Sequence, residues 1–189
     1  MATVSVMSLK FSTSGRHALI HTVSKVSPTR MHATYLFDSG SEADTDRVGR
    51  RLADALLPGI TVALDGQLGS GKTCFVRAVC RGLGADESQV NSPTFVLMQM
   101  YADGRLPVFH LDTYRLGDID EFLAIGAEEY LLDPEIVCFV EWAERVAPVL
   151  PADHLAIAIE QTGETARRFV FRASGDRSAA VLRCLRSAR

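Results

Sequence analysis

"ITVALDGQLGSGKTCFVRAV", residues 60–79, changes character twice within twenty residues. Ile60–Leu64 is an uninterrupted apolar run of strand length, which reads as a strand buried on both faces. From Lys72 to Leu83 the apolar residues recur at helical spacing, and Gly84 follows as a fitting C-terminal cap. Between strand and helix lies Gly66-Gln67-Leu68-Gly69-Ser70-Gly71-Lys72-Thr73, which satisfies G-x-x-x-x-G-K-[ST] at every fixed position and in the strand-to-helix context that the motif requires. The glycines let successive backbone N–H groups turn inward around a phosphate, and the helix N-terminus adds its dipole. A lysine in this position reaches the β- and γ-phosphates, and the threonine hydroxyl ligates Mg²⁺. Lys72 is the only lysine after Lys25, in a chain that otherwise uses arginine. A compact ammonium on a thin stem fits inside such a loop, where a wide planar guanidinium does not.

With 189 residues, the chain is long enough for one compact domain and short for two. No apolar run reaches the length of a membrane span, so no membrane association is expected. Cys74, Cys80, Cys138 and Cys184 are widely spaced and form no C-x-x-C pair; they read as small buried hydrophobes in a reducing cytoplasm, and a cytoplasmic location is expected. The net charge of −3 conceals an asymmetry: residues 1–37 hold four basic residues and no acid, and residues 164–189 hold seven arginines against Glu164 and Asp176. The middle is therefore strongly acidic and repels phosphate backbones, so contact with a nucleic acid is expected only through a partner or the arginine-rich end.

Residues 1–32 are rich in Ser and Thr, basic, and without the apolar core of a secretory signal. They read as a disordered leader, upstream of a start at Met31, or as a targeting segment. The folded domain is expected over 33–189. "ATYLF" (33–37) reads as a strand, and Ser41-Glu42-Ala43-Asp44 resembles a capping box opening a helix that runs to Pro58-Gly59. "TFVLMQMY" (94–101) and "LPVFHLD" (106–112) flank the turn residues Ala102–Arg105 and predict an antiparallel hairpin. A helix near 119–124, a strand over 136–142, two further strands paired across 161–164 and a C-terminal helix complete the pattern. The fold class is α/β: a single P-loop NTPase-like domain with a central mixed β-sheet flanked by helices.

A P-loop needs a second Mg²⁺ anchor from a neighbouring strand. Asp112 ends "VFHLD" and Glu141 ends "IVCFVE". One would hold the metal directly or through water; the other would hold metal too, or orient the attacking water. Guanine-specific P-loop proteins read their base with an N/T-K-x-D motif, which a chain without lysine after Lys72 cannot contain, so ATP is favoured. A small-molecule kinase is the alternative. It calls for an arginine-rich lid, whereas the segment after Asp112 carries Asp118, Asp120, Glu121, Glu128 and Glu129, with only Arg115 nearby. His110, inside a strand, reads as a satisfied core histidine.

Taken together, "LDGQLGSGKT" (64–73), "NSPTFVLMQMY" (91–101), "FHLDTYRL" (109–116) and "VEW" (140–142) resemble, in order, the motifs of the TsaE (YjeE) family. These are the small P-loop ATPases of bacterial tRNA threonylcarbamoyladenosine synthesis. The likeness covers about residues 33–160. It implies that Asp112 is the Walker-B-type acid, that Glu141 is the second metal-site or catalytic acid and Trp142 its neighbouring aromatic. It also implies that Thr94 sits in a segment sensing the nucleotide state and that Thr45 lies near the bound nucleotide. The activity it implies is Mg²⁺-dependent ATP hydrolysis with low intrinsic turnover, in an accessory factor acting on a TsaD–TsaB transferase complex. The tRNA would then be met only indirectly, and self-association is left open. Gln67 departs from the acid usual in the family after the first P-loop glycine.

Overall fold

The computed structural model describes residues 33–93 and 97–187. The expected leader over 1–32 and Thr94 lie outside the described residues. The elements, in chain order, are β1 (Thr34–Ser39), α1 (Glu42–Ala55), β2 (Ile60–Asp65), α2 (Lys72–Leu83), β3 (Met98–Tyr101), β4 (Val108–Asp112), α3 (Ile119–Ala124), α4 (Glu128–Leu131), β5 (Val137–Glu141), β6 (His154–Gln161), β7 (Arg167–Ala173) and α5 (Asp176–Ser187). They form the mixed α/β architecture expected, with one seven-stranded sheet in the order β1-β7-β6-β2-β5-β4-β3. The centre, β6-β2-β5-β4, is parallel, while β3 pairs antiparallel with β4, and β7 antiparallel with both β6 and β1.

Strand alternation divides the core in two. Ile60, Val62 and Leu64 of β2 pack with Val137 and Phe139 of β5 beneath α1, α2 and α5. Ala63, Phe109, Leu111, Cys138 and Val140 face the other way, against Phe122 of α3 and Leu131 of α4. Helix α2 is fixed to the sheet by Phe75, whose ring centroid lies 5.0 Å from that of Phe169 and 6.3 Å from that of Phe171 on β7. Three buried aromatic rings thus anchor the first turn of the helix that follows the P-loop.

Several boundaries differ from the sequence expectation. Helix α1 ends at Ala55 rather than at Pro58-Gly59, because Leu56 is already extended (φ −65°, ψ 138°) and Leu57 precedes a proline. Its N-cap is Ser41, whose side chain accepts from Asp44 N at 3.2 Å. The returning bond goes from Gly40 N to Asp44 Oδ2 at 3.0 Å, one residue outside a strict capping box. Strand β3 begins only at Met98, since Leu97 sits at φ +65° and its carbonyl accepts Asp112 N at 3.0 Å. Strand β5 stops at Glu141, because Trp142 turns into the left-handed region at φ +58°.

Candidate nucleotide and metal site

Parallel strands bring their carboxyl ends to one edge, where α/β sheets place ligands. At that edge β2 runs into Gly66, and the register pairs Asp112 directly with Glu141 on the neighbouring strands β4 and β5. The two acids picked out by sequence are therefore adjacent. The P-loop folds over them with Gly66, Gly69 and Gly71 at φ +151°, +77° and +101°. At Gly66 a Cβ would lie 2.4 Å from the carbonyl oxygen of Ile159, so the loop has no room for a side chain there. Gly71 is the N-cap of α2 and offers no side-chain acceptor, which leaves the first N–H groups of α2 available to an anion.

Lys72 is 5% exposed. Its Nζ donates to the carbonyls of Gly66 at 2.7 Å and Gln67 at 3.1 Å, and stands 3.8 Å above the ring of Trp142. Burial pulls its ammonium below the ordinary value, against the opposing charges of Glu141, Asp112, Glu144 and Asp65. The Thr73 hydroxyl donates to Glu141 Oε1 at 2.7 Å. Asp112, also buried, accepts from Ser92 Oγ at 3.1 Å and from Tyr114 N at 2.9 Å. Trp142, half-buried, lies with its ring centroid 5.0 Å from that of Tyr114. These side chains line a cavity of about 440 Å³ that also takes in Leu68 and Gly69.

A second cavity, of about 520 Å³, opens on the other side of the P-loop. Thr45 lines it together with Ser70, Gly71, Cys74 and Arg167. Thr45 is thus separated from the Lys72–Glu141 cluster, and its hydroxyl is bonded to Ser39 Oγ at 2.8 Å. Gly71 and Cys74 border both cavities, so an elongated ligand lying across the P-loop would reach both. Gln67 and Leu68 are exposed on the loop's outer surface.

The residues fit a phosphate ligand and its cation. Ser70 Oγ is buried at the loop and has no hydrogen-bond partner among the described residues, which costs free energy unless a ligand meets it. Thr73, Asp112 and Glu141 offer only oxygen atoms, the donor type Mg²⁺ takes. Among the described residues no three His, Cys, Asp or Glu side chains form a self-sufficient metal cage. A Mg²⁺ ion here would be completed by phosphate oxygens and water, its common mode of binding.

Three contributions escaped the sequence reading. His110 is fully buried and satisfied, as expected of a core histidine, but its Nε2 partner is Glu141 Oε1 at 2.9 Å. The strand period placed it two residues before Asp112 on the same face, and that was the available signal. Arg167 donates from Nε to the carbonyl of Ser70 at 2.8 Å, and from Nη1 to the carbonyls of Gly163, Glu164 and Ala166, clamping the β6–β7 turn to the P-loop. Nothing in the local sequence announces that bond. Finally, Glu144 lies beside Asp65, its backbone N–H donating to Asp65 Oδ1 at 3.0 Å. A hydrogen bond shared between the two carboxyls, partial burial and the charge of Asp65 push Glu144 up to about 7.

Comparison with known proteins places this site in context. A family model described as "Threonylcarbamoyl adenosine biosynthesis protein TsaE" matches residues 39–169. The tRNA threonylcarbamoyladenosine biosynthesis protein TsaE of Bacillus subtilis (strain 168) is 40% identical over 134 residues, covering 71% of this chain and 82% of that protein. The protein of the same name from Treponema pallidum (strain Nichols) is 43% identical over 121 residues, covering 64% and 87%. Among solved structures, the crystal structure of Bacillus subtilis YdiB superposes with a TM-score of 0.67 at 29% identity, covering 84% of this chain and 97% of that one.

Proposed function

The chain belongs to the TsaE family, and from that premise we propose that it binds ATP with Mg²⁺ at the P-loop and hydrolyses it in support of tRNA threonylcarbamoyladenosine biosynthesis. The observation that carries the reading is the convergence of Lys72 and Thr73, at the start of α2, with Asp112 and Glu141, at adjoining strand ends, on one cavity at the P-loop. Lys72 would neutralise the β- and γ-phosphates, and the second cavity, with Thr45 and Arg167 on its wall, would take the nucleoside. Thr73 and Asp112 would hold Mg²⁺, which when bound neutralises charge developing on the phosphate oxygens. Glu141 accepts the proton of the attacking water as the water oxygen bonds to the γ-phosphorus. The bond from that phosphorus to the β–γ bridging oxygen breaks, and ADP, inorganic phosphate and the proton are released.

The protein is proposed to be an accessory factor of the cytoplasm that acts on a TsaD–TsaB type transferase complex and meets tRNA only through it. What supports this is the acidic body, which does not favour a direct grip on tRNA, together with the family membership. Among the described residues no helix is long and apolar enough to cross a membrane. Phosphate release is measured with the chain alone and with a TsaD–TsaB complex. Slow turnover alone, a rise with the complex, its loss in Lys72→Ala and its loss in Glu141→Gln with ATP binding retained are expected. ATP binding without hydrolysis, or transfer of the γ-phosphate to a metabolite hydroxyl, refutes the reading.

A further inference from the structure

A buried chain of polar side chains runs from the sheet edge into the site. Tyr101, 3% exposed and the last residue of β3, places its hydroxyl 3.4 Å from His110 Nδ1 and 3.0 Å from Gln99 Oε1. The other ring nitrogen of His110 lies 2.9 Å from Glu141 Oε1, the same oxygen that accepts the Thr73 hydroxyl at 2.7 Å. Among the described residues Glu141 Oε2 makes no hydrogen bond. One carboxylate oxygen is therefore held by two donors on the protein side, and the other is left for the cavity.

Resting on the proposed function, we propose that His110 is a positioning residue for Glu141: it pins Oε1 so that Oε2 faces the reacting centre, and Tyr101 in turn fixes the ring of His110. A carboxylate held only by Thr73 can rotate about its last bond and exchange its oxygens. A second donor on the same oxygen removes that freedom, and catalytic geometry depends on tolerances of this order. The acceptor at Oε1 requires a ring proton on Nε2 of His110. Tyr101, its hydroxyl beside Nδ1, holds the orientation of the ring that serves Glu141. The hydroxyl itself is oriented by donating its one proton to Gln99 Oε1 at 3.0 Å.

Two readouts test this, one of which needs no turnover. Nitrogen-edited NMR of the histidine side chains is expected to show a slowly exchanging Nε2–H proton that is absent in His110→Gln and shifts in both Glu141→Gln and Tyr101→Phe. In turnover, His110→Phe keeps the ring volume without the donor and is expected to lower kcat roughly 10–100-fold, the scale of losing a group that supports a catalytic residue. The ATP affinity should stay within about twofold, because the binding groups are untouched. His110→Gln, whose amide nitrogen reaches toward the place of Nε2, is expected to recover most of the loss. His110→Phe placed in a Glu141→Gln background is expected to add nothing further. A merely structural role predicts instead that both His110 variants fall together with melting temperature. A proton that does not respond to Glu141→Gln, or full kcat in His110→Phe, overturns the proposal. A responsive proton in a wild-type chain that does not hydrolyse ATP leaves the His110–Glu141 positioning contact standing and refutes the hydrolytic function alone.

Discussion

Helices α1 and α2, which together wall the cavity holding Thr45, meet at two small-residue contacts, and Gly49→Ala probes one of them. A Cβ at Gly49 of α1 would lie 2.6 Å from Ala78 Cβ of α2, with Ala78 C at 3.2 Å and Val79 N at 3.3 Å. Gly82 of α2 stands in the reciprocal relation, its Cβ falling 2.6 Å from Ala53 Cβ and 2.9 Å from Arg50 Cα of α1. Carbon atoms pack at about 3.5–4.0 Å, so the new methyl is roughly 1 Å too close to its neighbour. The neighbour is short and attached directly to backbone, and no rotamer change relieves the clash. One helix must move. Phe75 ties α2 to the sheet through Phe169 and Phe171, so α1 is the helix that yields.

Replacing a helical glycine by alanine gains about 1 kcal/mol of helix propensity. Overpacking a tight interface costs about 1–3 kcal/mol, and prising α1 away from a contact that buries Val48, Leu52, Phe75 and Val79 puts this site at the upper end. The net is a destabilisation of about 1–2 kcal/mol, or a fall in Tm of roughly 3–8 °C for a folded unit of about 150 residues. Gly84→Ala is the control: φ is +85° and a Cβ there meets nothing within 4 Å, so only the left-handed backbone strain of about 1 kcal/mol applies. Thermal and urea unfolding followed by circular dichroism measure both. An unchanged or raised Tm in Gly49→Ala would refute the reasoning, because it would mean the interface gives way freely and helix propensity decides.

The Glu144 carboxyl carries a pH dependence with a defined sign. The folded chain keeps its proton between the ordinary value of 4.5 and about 7, where the unfolded chain has lost it. Stability therefore falls as pH rises through that window and levels above it. Solvent screening at this exposed site keeps the change to about 1 kcal/mol or less, and melting curves of Glu144→Gln from pH 5 to 8 are expected to lose the slope. Of the four cysteines expected to be buried only two are: burial pushes Cys80 up to about 12 and Cys138 higher still, while Cys74 and Cys184, on outer helix faces, are exposed. A thiol reagent is expected to label two sites in the folded protein and four after unfolding, and ATP is expected to slow Cys74, which borders both cavities.

What the sequence made legible, and what it hid, follows the range of the forces involved. The bounds of α2 could be read directly because a left-handed glycine stands at each end, and a glycine's conformational freedom is a property of one position. Asp112 and Glu141 could be paired because a strand-end acid after an apolar run is a local pattern, and parallel register then sets the two side by side. The turn at Trp142 was hidden: nothing in "VEW" requires a tryptophan at φ +58°, a conformation held by its N–H donating to Leu64 O at 2.9 Å across the sheet and by the ammonium over its ring. Arg167 was hidden more deeply, since its guanidinium reaches Ser70 from 97 residues away and its own neighbourhood reads as ordinary strand. His110 falls between these cases. Its burial was legible and its partner was not, because alternation fixes the face of a sheet on which a side chain lies, whereas only the lateral order of strands fixes which neighbour it meets there. The chemistry of the site is written locally in the P-loop and the two acids, and the groups that would hold those acids in their working geometry become visible only once β4 and β5 are known to be adjacent.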